Sequence, residues 1–298
     1  MNFKSLLIIV FSFIHFGYVN AQANLLNAVI PEQIGVKTVE QLAADNDRPL
    51  NHGYIDDRDI LWSKVVWEYI DLNQKINMPY YYPSDTTNIR SGRRSLYDTL
   101  LKGIKSGAIV DIYDDSYFED KLSPKEVRAR LTKIDTSAAG FDLLNAGEII
   151  TEEYIDKRDI TSADIQGFRI KGVWYFDKRQ GELKYRLLGI APVAPDVNFI
   201  DNAGSDDMLV NLFWIWYPGA RDITFDMKVF NQKNSAYPLS FDHLLNSRRF
   251  DSIIYREENI YGNRDVSDYI KGNALFQVLE SNRLKENIRD RELDMWNY

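Results

Sequence analysis

The chain has 298 residues, of which 45% are hydrophobic and 27% charged, as in an ordinary soluble globular protein. Its 44 acidic and 36 basic residues give a net charge of -8, which argues against nucleic acid as a partner, because proteins that neutralise phosphates are usually basic. The absence of cysteine excludes disulfides, thiolate metal sites and cysteine nucleophiles.

The N-terminus has the pattern of an export signal. Lys4 precedes an apolar stretch over 6–19, and the small residues Val19 and Ala21 fit a cleavage site directly after Ala21. Roughly 14 apolar residues are too few to cross a bilayer, which takes about 20. We therefore predict a signal peptide over 1–21 and an exported protein with no membrane anchor of its own; a buried N-terminal helix is the alternative.

An arm and then a helix are predicted next. Residues 22–52 lack a strong hydrophobic period and contain Pro31 and Pro49, which is typical of an irregular N-terminal arm. From Asp56 to Asn77 the chain has neither proline nor glycine, and its first residues are acidic, as the helix dipole favours. This pattern predicts a helix.

Two further helices are predicted in the first half. Leucines recur at helical spacing over 95–106. Ser123 begins another helix, because Pro124 occupies the first helical position and Glu126 completes a capping box. Residues 53–147 are therefore expected to be helical.

Hydrophobicity then alternates with a period of two, which is typical of half-buried strands. Two strands are predicted at 168–176 and 183–188, around a turn at 177–181. Two more are predicted at 209–217 and 223–229. Four consecutive strands joined by turns predict an antiparallel meander.

The predicted fold class is α+β, with one domain over 53–298. A helical N-terminal half is expected to precede a four-stranded antiparallel meander, and a helical C-terminus to follow it. A long C-terminal helix is expected to kink or begin at Gly272. The three parts lie at 53–147, 148–235 and 236–298.

Few residue types for catalysis remain. Outside the predicted signal peptide only His52 and His243 could be the base of a Ser-His-Asp triad, and neither lies in a nucleophile motif. His243 is expected in the first turn of a helix capped by Ser240. No catalytic, cofactor-binding or metal residue is predicted. A carboxylate pair, as in glycosidases, stays an alternative. The acidic cluster at 111–120 is interpreted as a solvated loop, with sugar or calcium binding as the alternative.

Two surface features indicate partner binding. On the predicted helix over 56–77, Ile60 and Trp67 fall on the polar face, where a tryptophan can anchor a partner. The alternative is that another part of the chain covers this face.

The second feature is a basic strip, which we define as Arg169, Lys171, Lys184 and Arg186. All four should point away from the core side of the first predicted hairpin. On an acidic chain the strip is a candidate docking surface for an acidic partner. A merely solvated sheet face, on which lysines discourage aggregation, is the alternative.

Long segments of unusual composition identify a family. They are DILWSKVVWEYIDLNQKINMPYYYP (59–83), SLYDTLLKGIKSGAIVDIYDDSYFEDKL (95–122), RIKGVWYFDKRQGELKYRLLGIAPVAP (169–195), LFWIWYPGARDITFDMKVFNQKNSAYPLSFDHLL (212–245) and the C-terminal run ending at Trp296. Through them, the chain from about Tyr54 onward resembles the gliding motility protein family GldN, also called PorN, of Bacteroidota.

The resemblance implies a periplasmic component of the type IX secretion system. Such a protein associates with the outer-membrane lipoprotein GldK (PorK) in large rings, and with the periplasmic part of the motor protein GldM (PorM). It would reach the membrane only through its lipoprotein partner. The family offers no catalytic motif, so the expected function is that of a non-enzymatic ring subunit that also self-associates. A periplasmic or secreted protein that binds or cleaves glycans is the alternative.

Overall fold

An antiparallel sheet occupies the middle of the structure. The computed structural model describes residues 48–85, 93–147, 152–199, 209–231, 234 and 239–296. Residues 49–298 form one compact unit. In the part of the chain that is described, no helix has both the length and the apolar composition needed to span a membrane.

The strands follow the chain from β1 to β11. They are β1 (Ile60–Asp71), β2 (Ile112–Tyr113), β3 (Thr132–Thr136), β4 (Ile155–Asp159), β5 (Gly167–Asp177), β6 (Glu182–Pro195), β7 (Leu209–Asn211), β8 (Trp214–Trp216), β9 (Lys228–Val229), β10 (Leu239–Ser240) and β11 (Ile253–Glu257). The main sheet has the order β11-β1-β5-β6-β8-β2, and β7 also pairs with β6. Two small ribbons, β3–β4 and β9–β10, lie outside it.

The helices are short except for the last. They are α1 (Met78–Tyr81), α2 (Leu96–Lys105), α3 (Pro124–Leu131), α4 (Ala138–Asn145), α5 (Tyr217–Asp226), α6 (Phe241–Asn246), α7 (Val266–Tyr269) and α8 (Ala274–Trp296). Local capping chemistry fixes several of their starts. Ser95 caps α2, the predicted capping box of Ser123 and Glu126 caps α3, and Ser240 accepts a hydrogen bond from the backbone N–H of His243 in α6.

The prediction of a helix over 56–77 is wrong, because most of this segment is β1. β1 pairs with β5 along eleven positions and with β11 on its other side. Val66 and Trp67, on opposite faces, are only 1% and 2% exposed. Over 66–68 the strand is buried on both faces, so apolar and polar residues do not alternate there and the sequence lacks the usual strand signal.

The prediction of a helical N-terminal half followed by a four-stranded meander is therefore wrong. The β5–β6 hairpin agrees with its prediction, including the turn before Glu182, where Gly181 has φ 64°. The second predicted hairpin does not form. Its first strand is split into β7 and β8, and its second is largely α5, in which Pro218 lies in the first turn.

The predictions for the two ends of the chain have different outcomes. The C-terminal helix is interrupted as expected at Gly272, where φ is 70°, and α8 begins two residues later. The predicted signal peptide over 1–21 lies outside the described residues, as does the predicted arm except for 48–52.

The two faces of the main sheet are covered differently. Ile70, Phe168 and Ile190 belong to one large core cluster with residues of α2, α5 and α6, and we call this side the helical face. Val66, on the same side, forms a smaller cluster with Leu284 and other residues of α7 and α8. The opposite side, which we call the open face, carries a small cluster of Trp67, Ala191 and Trp214.

A carboxylate lies within the helical face. Glu68 of β1 is 0% exposed and makes a bidentate ion pair with Arg248, with Nη–Oε distances of 2.9 and 2.7 Å. The hydroxyl of Ser252 also donates to Glu68. The Arg248 guanidinium lies 4.2 Å from the ring centre of Tyr185 and 5.0 Å from those of Trp174 and Phe250. The pair therefore joins β1 to the turn after α6 and to the hairpin.

Glu68→Gln is expected to lower the free energy of unfolding by about 3 kcal/mol, because the half-buried charge of Arg248 would lose its carboxylate partner. Urea denaturation measures the change. Glu182→Gln is the matched control, since the side chain of Glu182 is 64% exposed, and its effect should stay within about 0.5 kcal/mol. Equal effects of the two substitutions would contradict a structural role for the pair.

Candidate functional site

The basic strip lies on the open face. Cross-strand register places Arg169 beside Tyr69 and Lys171 beside Trp67. It places Lys184 beside Tyr175 and Arg186 beside Val173. Side chains of directly paired residues lie on the same side of a sheet. The structure therefore brings the four cations onto one face.

Trp67 is buried instead of exposed. The face on which the sequence prediction placed it belongs to a helix that does not form. The side chain is 2% exposed and lies in the cluster with Trp214, flanked by Phe118 and Tyr255. Other parts of the chain therefore cover Trp67, which is the alternative given in the sequence analysis.

Ile60 is not brought near Trp67. It begins β1, is half-buried and pairs in register with Asp177 at the end of β5. Seven positions along a strand separate two residues by about 23 Å. The two residues therefore do not form one binding surface.

Lys171 is enclosed by aromatic rings. Its Nζ lies 5.0, 5.1 and 5.2 Å from the ring centres of Trp67, Tyr117 and Phe118 and donates a 2.8 Å hydrogen bond to the carbonyl of Ser116. Burial lowers the pKa of Lys171. These contacts hold the loop that contains Ser116 against the sheet, so Lys171 has a structural role.

The two halves of the basic strip have different surroundings. The guanidinium of Arg169 lies 5.1 Å from the ring centre of Tyr255, so both cations of the β5 half rest on aromatic side chains. Lys184 and Arg186, in the β6 half, line a cleft at the end of the hairpin. This half is the better candidate for binding an acidic group.

We call this space the tip cleft. Its volume is about 550 Å³. It lies between the chain segment at 50–55, the end of the β5–β6 hairpin, α5 and α6. The charged residues and histidines among those that line it are His52, Asp177, Arg179, Lys184, Arg186, Arg221, Asp242 and His243.

Several charges in the tip cleft are already neutralised. Arg221 makes a bidentate pair with Asp242, at 2.9 and 3.0 Å, and the hydroxyl of Tyr217 donates to the same carboxylate. Arg179 lies 3.1 Å from Asp59. These pairs leave Lys184 and Arg186 as the cations with the most capacity for a new partner.

Arg186 has no carboxylate within ion-pair distance among the described residues. Its Nη2 donates a 3.2 Å hydrogen bond to the carbonyl of Gly53, and its Nε is buried without a hydrogen-bond partner. Lys184 lies 3.9 Å from Glu182, at a largely solvent-exposed contact. His52 is exposed, but partial loss of hydration lowers its pKa, and Arg221 and Arg186 lower the pKa further, against the opposing effect of Asp242. The cleft therefore disfavours an added positive charge.

Sequence reasoning missed Arg179, Arg221 and Asp242 as cleft residues. Arg221 lies on α5, a segment predicted as turn and strand, so no face could be assigned to it. Asp242 directly precedes His243, and both lie in the first turn of α6, where the sequence analysis expected His243. Their approach to β6 depends on long-range packing that has no local sequence signal.

The acidic cluster at 111–120 makes contacts within the chain. Asp111 pairs with Lys121 at 2.9 Å, and Asp114 pairs with Arg130 at 2.6 Å. Asp115 accepts hydrogen bonds from two backbone N–H groups of its own loop. Within the described ranges, no group of three or more acidic or histidine side chains is arranged to hold a metal ion. These contacts favour the interpretation as a loop.

Trp67→Ala is expected to lower the free energy of unfolding by about 3 to 5 kcal/mol, because it leaves a large cavity under Lys171 and removes packing from Trp214. Chemical denaturation measures this change. Leu61→Ala is the matched control on the same strand, since Leu61 is 51% exposed and its loss should cost little. A Trp67→Ala protein with unchanged stability would contradict its place in the core.

Comparison with known proteins adds the family. No curated protein matches the chain. The model of the family described as "Gliding motility associated protein GldN" matches residues 55–297, which cover most of the compact unit and both halves of the basic strip. The chain therefore belongs to the GldN family of gliding-motility-associated proteins.

Proposed function

We propose that the protein is a non-enzymatic structural subunit of a periplasmic ring complex, part of the type IX secretion and gliding motility machinery. In this proposal it binds an outer-membrane lipoprotein of the GldK (PorK) type. It also contacts the periplasmic region of a GldM (PorM) motor protein and further copies of itself. The observation that carries the proposal is the family match over 55–297.

Exposed apolar side chains support an assembly role. At the start of α8, Leu275, Phe276 and Leu279 are 66%, 55% and 51% exposed. Nearby, the guanidinium of Arg264 lies 5.1 and 5.2 Å from the ring centres of Tyr261 and Tyr269, which are themselves exposed. A group of large apolar side chains on the surface is typical of proteins that bury this surface in a complex.

The charged groups also favour binding over catalysis. Two buried carboxylates, Glu68 and Asp242, are each held by a bidentate arginine. Carboxylates fixed in this way support packing and are not placed to transfer protons to a bound glycan. The proposed location is the periplasm, after cleavage of the signal peptide, with membrane attachment only through the lipoprotein partner.

Cell fractionation tests the proposal. In cells that contain the lipoprotein, most of the protein should sediment with the outer membrane and elute in an assembly far larger than a monomer. In cells that lack the lipoprotein, it should move to the soluble periplasmic fraction or be degraded. A monomer that stays soluble in both strains would contradict the proposal, and cleavage of a glycan that depends on one carboxylate would support the alternative.

A further inference from the structure

One side of β6 is an unpaired sheet edge next to the tip cleft. β5 pairs with β6 along the whole hairpin, beginning at Glu182. On the other side, β8 pairs only with Gly189 and Ile190, and β7 pairs from Val193 onward. Over 182–188, therefore, no strand among the described residues covers the second edge of β6. An open edge presents backbone N–H and C=O groups that can pair with another chain.

The segment at 50–55 lies beside this edge without filling the cleft. The carbonyls of Gly53 and Tyr54 accept hydrogen bonds from Arg186 and Arg179, at 3.2 and 2.9 Å. Leu50 and Tyr54 also line the cleft, and they are 86% and 82% exposed, so this wall of the cleft is open to solvent. The segment forms one wall of the tip cleft.

We propose that the β6 edge over 182–188 and the tip cleft together bind an extended, acidic peptide segment of a partner protein. The backbone of this segment would pair with β6, and a carboxylate would contact Arg186 and Lys184. This inference deepens the proposed function and rests on it for the existence of a partner. It adds the chemistry of the bound segment and the place where it binds.

The shape and lining of the cleft favour a peptide over a small anion. A volume of about 550 Å³ is in the range of sites that hold several side chains and is far larger than one carboxylate or phosphate. Tyr185 and Phe225 also line the cleft and offer apolar surface. Acids that alternate with apolar side chains would satisfy both kinds of lining, since alternate residues of an added strand point to opposite sides.

Charge gives the preference for acidic residues. Arg186 donates only to the neutral carbonyl of Gly53 and has no carboxylate partner among the described residues. A hydrogen bond from a guanidinium to a carboxylate is roughly twice as strong as one between neutral groups. An incoming carboxylate would therefore gain an interaction that the chain itself does not supply to Arg186.

The test uses a five-residue peptide with blocked ends, in which glutamate alternates with tyrosine and leucine. Binding to the full mature chain is measured by titration calorimetry at low salt. The glutamate peptide should bind at least about tenfold more tightly than the same peptide with glutamine in place of glutamate. Lys184→Gln and Arg186→Gln should each weaken binding about tenfold.

Two control variants separate the cleft from the overall charge. Lys178→Gln removes an exposed cation of the same hairpin turn that does not line the cleft. Arg169→Gln removes a cation from the other half of the basic strip. Both should bind the glutamate peptide like the unchanged protein. Weakening by these variants equal to that of Lys184→Gln would overturn the proposal.

A second readout comes from His52. A bound carboxylate favours the charged imidazolium, so the glutamate peptide should raise the pKa of His52, which NMR measures. This change is opposite to the effect of Arg221 and Arg186, which lower the pKa in the free protein. An unchanged pKa, equal binding of the glutamine peptide, or equally tight binding of inorganic phosphate would overturn the proposal. If Arg186→Gln lowers the stability of the protein, Lys184→Gln still tests the proposal. The Lys184 side chain is 31% exposed, so its substitution should leave the fold intact.

Failure of this inference can be told apart from failure of the proposed function. If the peptide does not bind but the protein still sediments with the outer membrane, the partner binds elsewhere. If the peptide binds but the protein stays a soluble monomer in cells, the cleft exists and the proposed assembly is wrong.

Discussion

The ion pair of Glu68 and Arg248 is the constraint on which the architecture depends. A carboxylate with no solvent exposure at the centre of β1 is tolerated only if a cation reaches it, and Arg248 does so with both terminal nitrogens. Arg248 adopts φ 50°, a left-handed conformation that costs roughly 1 to 2 kcal/mol for a residue with a side chain. The contacts of the guanidinium with β1 and the β5–β6 hairpin, which join both to the turn after α6, offset this cost.

That constraint fixes the position of the hairpin. The guanidinium lies against Trp174 of β5 and Tyr185 of β6, so the pair that holds β1 also holds the end of the hairpin. Lys184 and Arg186 flank Tyr185 in sequence and therefore point to the other side of the strand. The anchored tyrosine thus positions Lys184 and Arg186, two of the four cations that line the tip cleft. The direction of the Lys184 and Arg186 side chains therefore follows from the contact of Tyr185 with Arg248 on the helical face.

Local features could be predicted from the sequence, and long-range features could not. The caps at Ser123 and Ser240 were predictable because a cap depends on three or four consecutive residues. The hairpin turn was predictable for the same reason. β1 was missed because its two buried faces remove the alternation, although its valines and aromatic residues are typical of strands.

The candidate site shows the same division. The alternation of Arg169, Lys171, Lys184 and Arg186 predicted a shared face, which needs only the period of a strand. The enclosure of Lys171 by the loop at Tyr117 and the approach of α5 and α6 to β6 join residues far apart in sequence. Only the structure separates the structural half of the strip from the half that lines the cleft.

The central proposal is that this protein acts by binding a partner through the β6 edge and the tip cleft. Hydrogen–deuterium exchange of the free protein and of its proposed complex with an outer-membrane lipoprotein tests this most directly. The account predicts slower exchange in the complex over 182–188 and 50–55, with little change in the β1–β5 pairing. Protection confined to other surfaces, with β6 exchanging equally in both states, would contradict it.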